Sequence, residues 1–364
     1  MGDNSSNSLS ILILPLALLL TGYLMIIGKE ILLPFVIAII IWRVLVGLTE
    51  TIHRQRIGSF QPPYWLSILT LVVMFAFFFQ LTIDIFVDEI QEFIESLPHH
   101  QDNLVALLGT LPPRVLEAIP AFSTGDIENG LNTLLINLFN SLSAYISTIG
   151  TNVVSLISQT SVVAIYVIFL LLEQNTFAKK MIAMFPDQTV RKDMSEILKS
   201  IGDNITDYIG IKTWISLLLA VVLFVIMLLM GLEHAVVWAI LSFFLNFIPF
   251  IGPLIAIIFP ALTAILTSTN WVWIIGVTVA VSVVQGIFGY AIEPKMMGNR
   301  LGVSPLIVLL ALAVFGAIWG LAGMFLSVPL VVIMIIILGH FQRTRPIAIM
   351  LSEDGQIPEV DHTH

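Results

Sequence analysis

Three short blocks in the second half of the chain hold residue types that can bind or gate a solute inside an apolar environment. The first is Asn246-Phe247-Ile248-Pro249-Phe250-Ile251-Gly252-Pro253. Pro249 and Pro253 lack an amide donor, and in a helix each clashes with the carbonyl four residues earlier. The spacing predicts a broken helix near the middle of a long apolar run, with Asn246 beside the break. Broken backbone within a bilayer is tolerated only where protein or a water-filled cavity covers it. Transporters place half-helix ends and free carbonyls at substrate or ion sites in that way. Two readings fit: a transport site or gate built on Asn246, Pro249, Gly252 and Pro253, or a turn between two short segments at a membrane surface.

The second block is Glu293-Pro294-Lys295-Met296-Met297-Gly298-Asn299-Arg300. Glu293 and Lys295 are either solvated interfacial charges or the lining of a vestibule that binds a solute or its coupling ion. Gln285, eight residues earlier, extends a polar track about two turns deeper. The third group, Gly316, Gly320 and Gly323, has spacing that permits close helix packing or a flexible joint. Arg43 sits inside a span, where an ionisable group is costly and often functional, or snorkels to the interface. Asp207 and Glu233 are further boundary groups.

No enzyme constellation accompanies these blocks. There is no phosphate-binding loop, no histidine pair at metal spacing and no nucleophile elbow. The expectation is a non-enzyme without cofactor or metal. The absence of a nucleotide motif leaves ion-gradient coupling or passive facilitation. The net charge of −9 and the lack of a basic stripe argue against nucleic acid. There is no cysteine, which excludes disulfides and thiolate sites.

The elements that must position these residues are membrane helices. The chain has 364 residues, of which 58% are hydrophobic and 11% charged, with mean hydropathy +1.01. A soluble domain carries about 25% charged residues, and a spanning helix needs about 20 apolar ones. The sequence predicts an all-α polytopic protein with about eight hydrophobic elements, near 9–27, 31–49, 65–86, 152–172, 214–231, 235–266, 271–291 and 304–339. The elements 235–266 and 304–339 are too long for one straight crossing and are expected to be broken or tilted. Residues 1–86 form three N-terminal spans. Residues 87–151 form an amphipathic extracytoplasmic section, whose leucine and isoleucine stripe over 131–149 suits packing on protein. Residues 152–345 form the transport core with a cytoplasmic helical loop over 173–213. Residues 346–364 read as a polar, disordered tail. Lys and Arg cluster in alternate loops, which places both termini in the cytoplasm with an even number of crossings. That count treats 235–266 as one crossing, with a re-entrant hairpin as the alternative that would change the count downstream, and puts Lys295 and Arg300 outside.

These blocks also carry a family likeness. Tyr208-Ile209-Gly210-Ile211-Lys212-Thr213, the Asn246 and Glu293 blocks, Leu301-Gly302-Val303-Ser304-Pro305 and Gly320-Leu321-Ala322-Gly323-Met324-Phe325-Leu326-Ser327-Val328-Pro329 resemble, in order and spacing, the AI-2E family of bacterial membrane proteins. The resemblance implies an inner-membrane transporter that assembles as a homo-oligomer, with pentamers described. Some members are described as exporters of autoinducer-2, others as sodium or lithium/proton antiporters. The family often pairs two glutamines where this chain reads Val284-Gln285-Gly286. The scarcity of membrane-embedded acids favours an ion-coupled exporter of a small polar organic solute. A Na+(Li+)/H+ antiporter, a passive channel and a nontransporting scaffold are the alternatives. The lipid bilayer is the surrounding partner in every case.

Overall fold

A computed structural model describes residues 20–54, 63–96, 161–174, 187–297 and 302–355, with scattered positions between 100 and 184. Most of the first span, the 131–149 stripe and the end of the tail lie outside the described residues. Within those described, every element is helical, as a chain in lipid requires when its backbone groups must pair internally. The helices are α1 (Lys29–Arg54), α2 (Tyr64–Ser96), α3 (Ser161–Gln174), α4 (Gln188–Leu229), α5 (Ala235–Leu245), α6 (Ile251–Thr267), α7 (Trp271–Ile287), α8 (Glu293–Met297), α9 (Pro305–His340) and α10 (Arg345–Leu351). A π-helical turn, Phe288–Ile292, joins α7 to α8. Among the described residues, five helical segments are long and apolar enough to cross a membrane.

Three boundaries differ from the sequence reading. The tail expected to be disordered from residue 346 opens with α10 (Arg345–Leu351), whose Ala348 is fully buried. The loop helix over 173–213 and the span over 214–231 are one helix from residue 188, the 42-residue α4. No proline separates them, and Gly210 alone does not stop a helix. Likewise the third span continues through the acidic segment to Ser96.

The chain divides into two compact units. One comprises 62–158 and 211–298; the other comprises 1–61, 159–210 and 299–364. In the first unit, Leu219, Leu223 and Met227 of α4 pack with Trp238 of α5, Ala264 of α6 and Val277 and Val281 of α7, all buried. Phe93 of α2 closes this core edge-on against Trp238, with ring centroids 5.2 Å apart.

Two contacts fix how this unit is threaded. At one end the Trp273 indole N–H donates to the Met230 carbonyl at 2.9 Å. At the other, Lys212 pairs with Glu293. Lys212 and Met230 are separated by about 27 Å of helix at 1.5 Å per residue. So α4 beyond Lys212 and the α7–α8 rod run antiparallel, each end facing its counterpart. The intervening stretch 235–267 therefore leaves and returns at the Met230 end. It is a helical hairpin, α5 packed on α6, the alternative to a single crossing.

The second unit repeats the device. A straight helix of 36 residues measures about 54 Å, yet Val303 and Ser352, flanking α9 and the short α10, form a β-bridge. The Ser304 N–H donates to the Leu351 carbonyl at 3.1 Å. The reversal lies at Gly320, which has φ 64° and ψ −143° within α9, a conformation that glycine adopts without a side-chain clash. A side chain on Gly323 would overlap the Phe315 carbonyl. The glycines therefore let the chain fold on itself. Near the reversal, the Trp319 indole N–H donates to the Met25 carbonyl at 3.1 Å.

Candidate functional site

Lys212 lies in α4 and is buried to 2% exposure. Its ammonium donates to Glu293 Oε1, whose side chain is 25% exposed. One helical turn further along α4, Ser216 is fully buried. Its hydroxyl oxygen accepts from Asn246 Nδ2 at 2.9 Å, and Asn246 is itself buried. Residues four apart on a helix share a face. The hairpin tip is thus pinned about one turn, ~6 Å of rise, from the level of the ion pair.

The tip is built as its sequence demands. α5 ends at Leu245 and α6 begins at Ile251. Between them Phe247 donates to the Phe244 carbonyl at 3.2 Å, Ile248 to Leu245 at 2.8 Å and Gly252 to Ile248 at 3.0 Å. Phe250 takes φ 60°, an uncommon conformation for a bulky residue. A Cβ on Gly252 would overlap the Leu245 carbonyl, so only glycine permits this approach. Pro249 lies in the break as expected. Pro253 does not break a helix: it occupies the first turn of α6, where its missing N–H has no intrahelical partner to lose.

Gln285 is 4% exposed, on α7. Its Nε2 is buried with no hydrogen-bond partner among the described residues. Eight residues along a regular helix leave two side chains about 80° apart in azimuth. Here the Glu293 N–H donates to the Phe288 carbonyl, five residues back. A π turn absorbs one residue. The separation then counts as about seven, close to two α turns, and Gln285 and Glu293 share one face. Such turns recur at functional sites.

The remaining sequence candidates lie elsewhere. Lys295 is exposed on α8. Glu233, half exposed, faces His100 Nε2 at 3.4 Å. Arg43 belongs to the other unit, where its guanidinium meets Asp203 at 3.5 Å and lies 5.8 Å from the Trp42 ring. Asp207 is an exposed residue of that unit. Sequence reasoning placed Lys212 among the loop charges and passed over Ser216. The available signal was a lysine followed four residues later by serine at the head of an apolar run.

The family profile described as AI-2E family transporter matches residues 12–343. The chain belongs to the AI-2E family. A putative transport protein of Haemophilus influenzae is 30% identical over 330 residues, covering 90% of this chain and 91% of that protein. The AI-2 transport protein TqsA of Escherichia coli is 28% identical over 331 residues, covering 90% of each. The putative transport protein YhhT of Escherichia coli is 38% identical over 126 residues, 35% of this chain and 36% of that one. An AI-2E family member with membrane-spanning helices is a multi-pass membrane transporter.

Proposed function

We propose that this chain exports a small polar organic solute across the bacterial inner membrane, driven by an ion gradient, through a site framed by Lys212, Ser216, Asn246, Gln285 and Glu293. The observation that carries the reading is the buried Gln285 Nε2, which has no hydrogen-bond partner among the described residues and lies on the same helical face as an ion-paired acid. A buried polar group without a partner costs about 1–3 kcal/mol. A solute bearing hydroxyl or carbonyl groups would satisfy it. Lys212 neutralises Glu293, which weighs against a resident alkali cation at that carboxylate. The relative TqsA is named an AI-2 transport protein, which supports the same reading.

Both hairpins return to the side they leave. Counting them so, with the N-terminus in the cytoplasm, gives six crossings and a cytoplasmic C-terminus. Lys212, Glu293, Lys295 and Arg300 then face the cytoplasm. Only Lys29 and Arg114 of the 15 Lys and Arg residues fall outside, a stronger bias than the eight-crossing count gave. Homo-oligomeric assembly belongs to the same reading, with the exposed Phe77 and Phe78 of α2 available to lipid or a second copy.

Glu293 also favours a second reading, cation/proton antiport, because it is an acid within a largely buried site. Proteoliposomes loaded with a pH-sensitive dye separate the two. Labelled autoinducer-like solute should exchange in the native protein and fail in Gln285→Leu. Proton movement that needs only sodium or lithium, and is lost in Glu293→Gln, would replace export with antiport.

A further inference from the structure

At the opposite end of the same unit from the Lys212–Glu293 pair, three metal-ligating side chains meet. Glu89 and Glu92 lie three residues apart on α2, on one helical face. His234 faces them from the turn that begins α5. One ligand atom from each residue lies within 4.8 Å of the others. His234 Nδ1 and Glu89 Oε2 are 3.3 Å apart. Two donors bound about 2.0–2.1 Å from one tetrahedral zinc ion stand about 3.3–3.4 Å from each other. Glu92 is exposed and free to turn its carboxylate inward.

Independent features favour a cation there. Two carboxylates this close repel each other, and no Lys or Arg pairs with either among the described residues. The His234 side chain is more than nine-tenths buried. Its ring is set edge-on against Phe93 with centroids 5.3 Å apart, a contact that orients the imidazole before any ion arrives. Glu233, the residue before His234, faces His100 Nε2 at 3.4 Å, a buried nitrogen with no hydrogen-bond partner among the described residues.

We propose that Glu89, Glu92 and His234 form a binding site for a divalent transition-metal cation of the zinc class. Imidazole distinguishes this set from the all-oxygen sites of calcium and magnesium. Three protein ligands leave one position for water or for Glu233. The ion would join the end of α2 to the root of the α5–α6 hairpin, two elements whose ligands are 145 residues apart in the case of Glu89 and His234. That separation is why the sequence shows no metal pattern. In the proposed orientation the site faces outward.

Calorimetric titration of the full chain with Zn2+ in detergent tests the site, with Co2+ absorption as a second readout. His362 and His364 in the tail would bind metal independently, so the experiment uses a His362→Gln/His364→Gln background. The expected result is one ion per chain and a tetrahedral Co2+ spectrum. Affinity should fall at least about tenfold in Glu92→Gln and in His234→Gln, the scale at which even a residue supporting a ligand acts. Glu92 is exposed, so its variant keeps the test valid if the histidine variant does not fold. Unchanged affinity in Glu92→Gln, or no Zn2+ binding at millimolar concentration, would overturn the site and leave a histidine–carboxylate tie. Equal affinity for Ca2+ would overturn the metal class.

Discussion

Lys212 and Glu293 stand 81 residues apart in the chain and share one ion pair. That contact joins the start of the α4 crossing to the end of the π turn after α7. Breaking a buried pair from one side costs about 3–5 kcal/mol, because the other charge stays behind. Replacing both partners with uncharged groups is far milder. Glu293→Gln is therefore expected to lower stability by a part of that range, since Glu293 is 25% exposed and water can reach it. The double variant Lys212→Met/Glu293→Gln should recover most of the loss while flux stays abolished. Thermal unfolding of the four proteins in detergent measures the coupling. Additive losses would show that the pair contributes nothing jointly.

Gln285 offers a separation of stability from function. Its buried Nε2 has no partner among the described residues, so Gln285→Leu removes an unmet polar group from the core. The expected gain is about 1–3 kcal/mol, accompanied by loss of solute exchange. A variant that is destabilised would mean that the amide already has a structural partner. A variant that is stabilised and fully active would remove Gln285 from the transport site.

The hairpin tip depends on one close approach. Gly252→Ala would drive a Cβ into the Leu245 carbonyl, where backbone cannot yield without opening the turn. Folded yield and thermal stability should fall sharply. Gly286→Ala, with nothing within 4 Å of the added carbon, should stay near the native stability. Alanine also has a helix propensity about 1 kcal/mol better than glycine's, so a small gain is consistent there. Equal behaviour of the two variants would disprove the close turn.

The break at Pro249, the polar positions Asn246, Gln285 and Glu293, and the all-helical membrane class were legible because each is a local signal. A proline or a buried amide in an apolar run is costly wherever it falls. Whether 235–266 returns was left open by its sequence, and the reversal at Gly320 was not legible. Hydropathy measures the length of an apolar run, and 235–266 reads alike whether it crosses or doubles back. The direction is decided by distant pairs: Lys212 with Glu293, Trp273 with Met230, Val303 with Ser352. Lys212 was missed for the same reason, since a lysine at the end of a span looks like a loop charge until its acid is known. Gln285 and Glu293 share a face only through the π turn, which no period in the sequence announces.

The hairpin reading and the single-crossing reading place the same residues on opposite sides, so labelling decides between them. The chain has no cysteine, and each introduced thiol reports alone. Thr269→Cys, at the exposed turn before α7, should react with an impermeant maleimide on intact cells. Lys295→Cys and Glu353→Cys should react only after the membrane is opened. If 235–266 crossed once and the N-terminus stayed inside, Thr269 would be protected and Lys295 labelled from outside. The antiparallel path set by Lys212–Glu293 and Trp273–Met230 cannot accommodate that result, because the Lys212 end would have to face both compartments. Labelling of Lys295 together with protection of Thr269 would therefore overturn the hairpin and, with it, the placement of Asn246 near the ion pair.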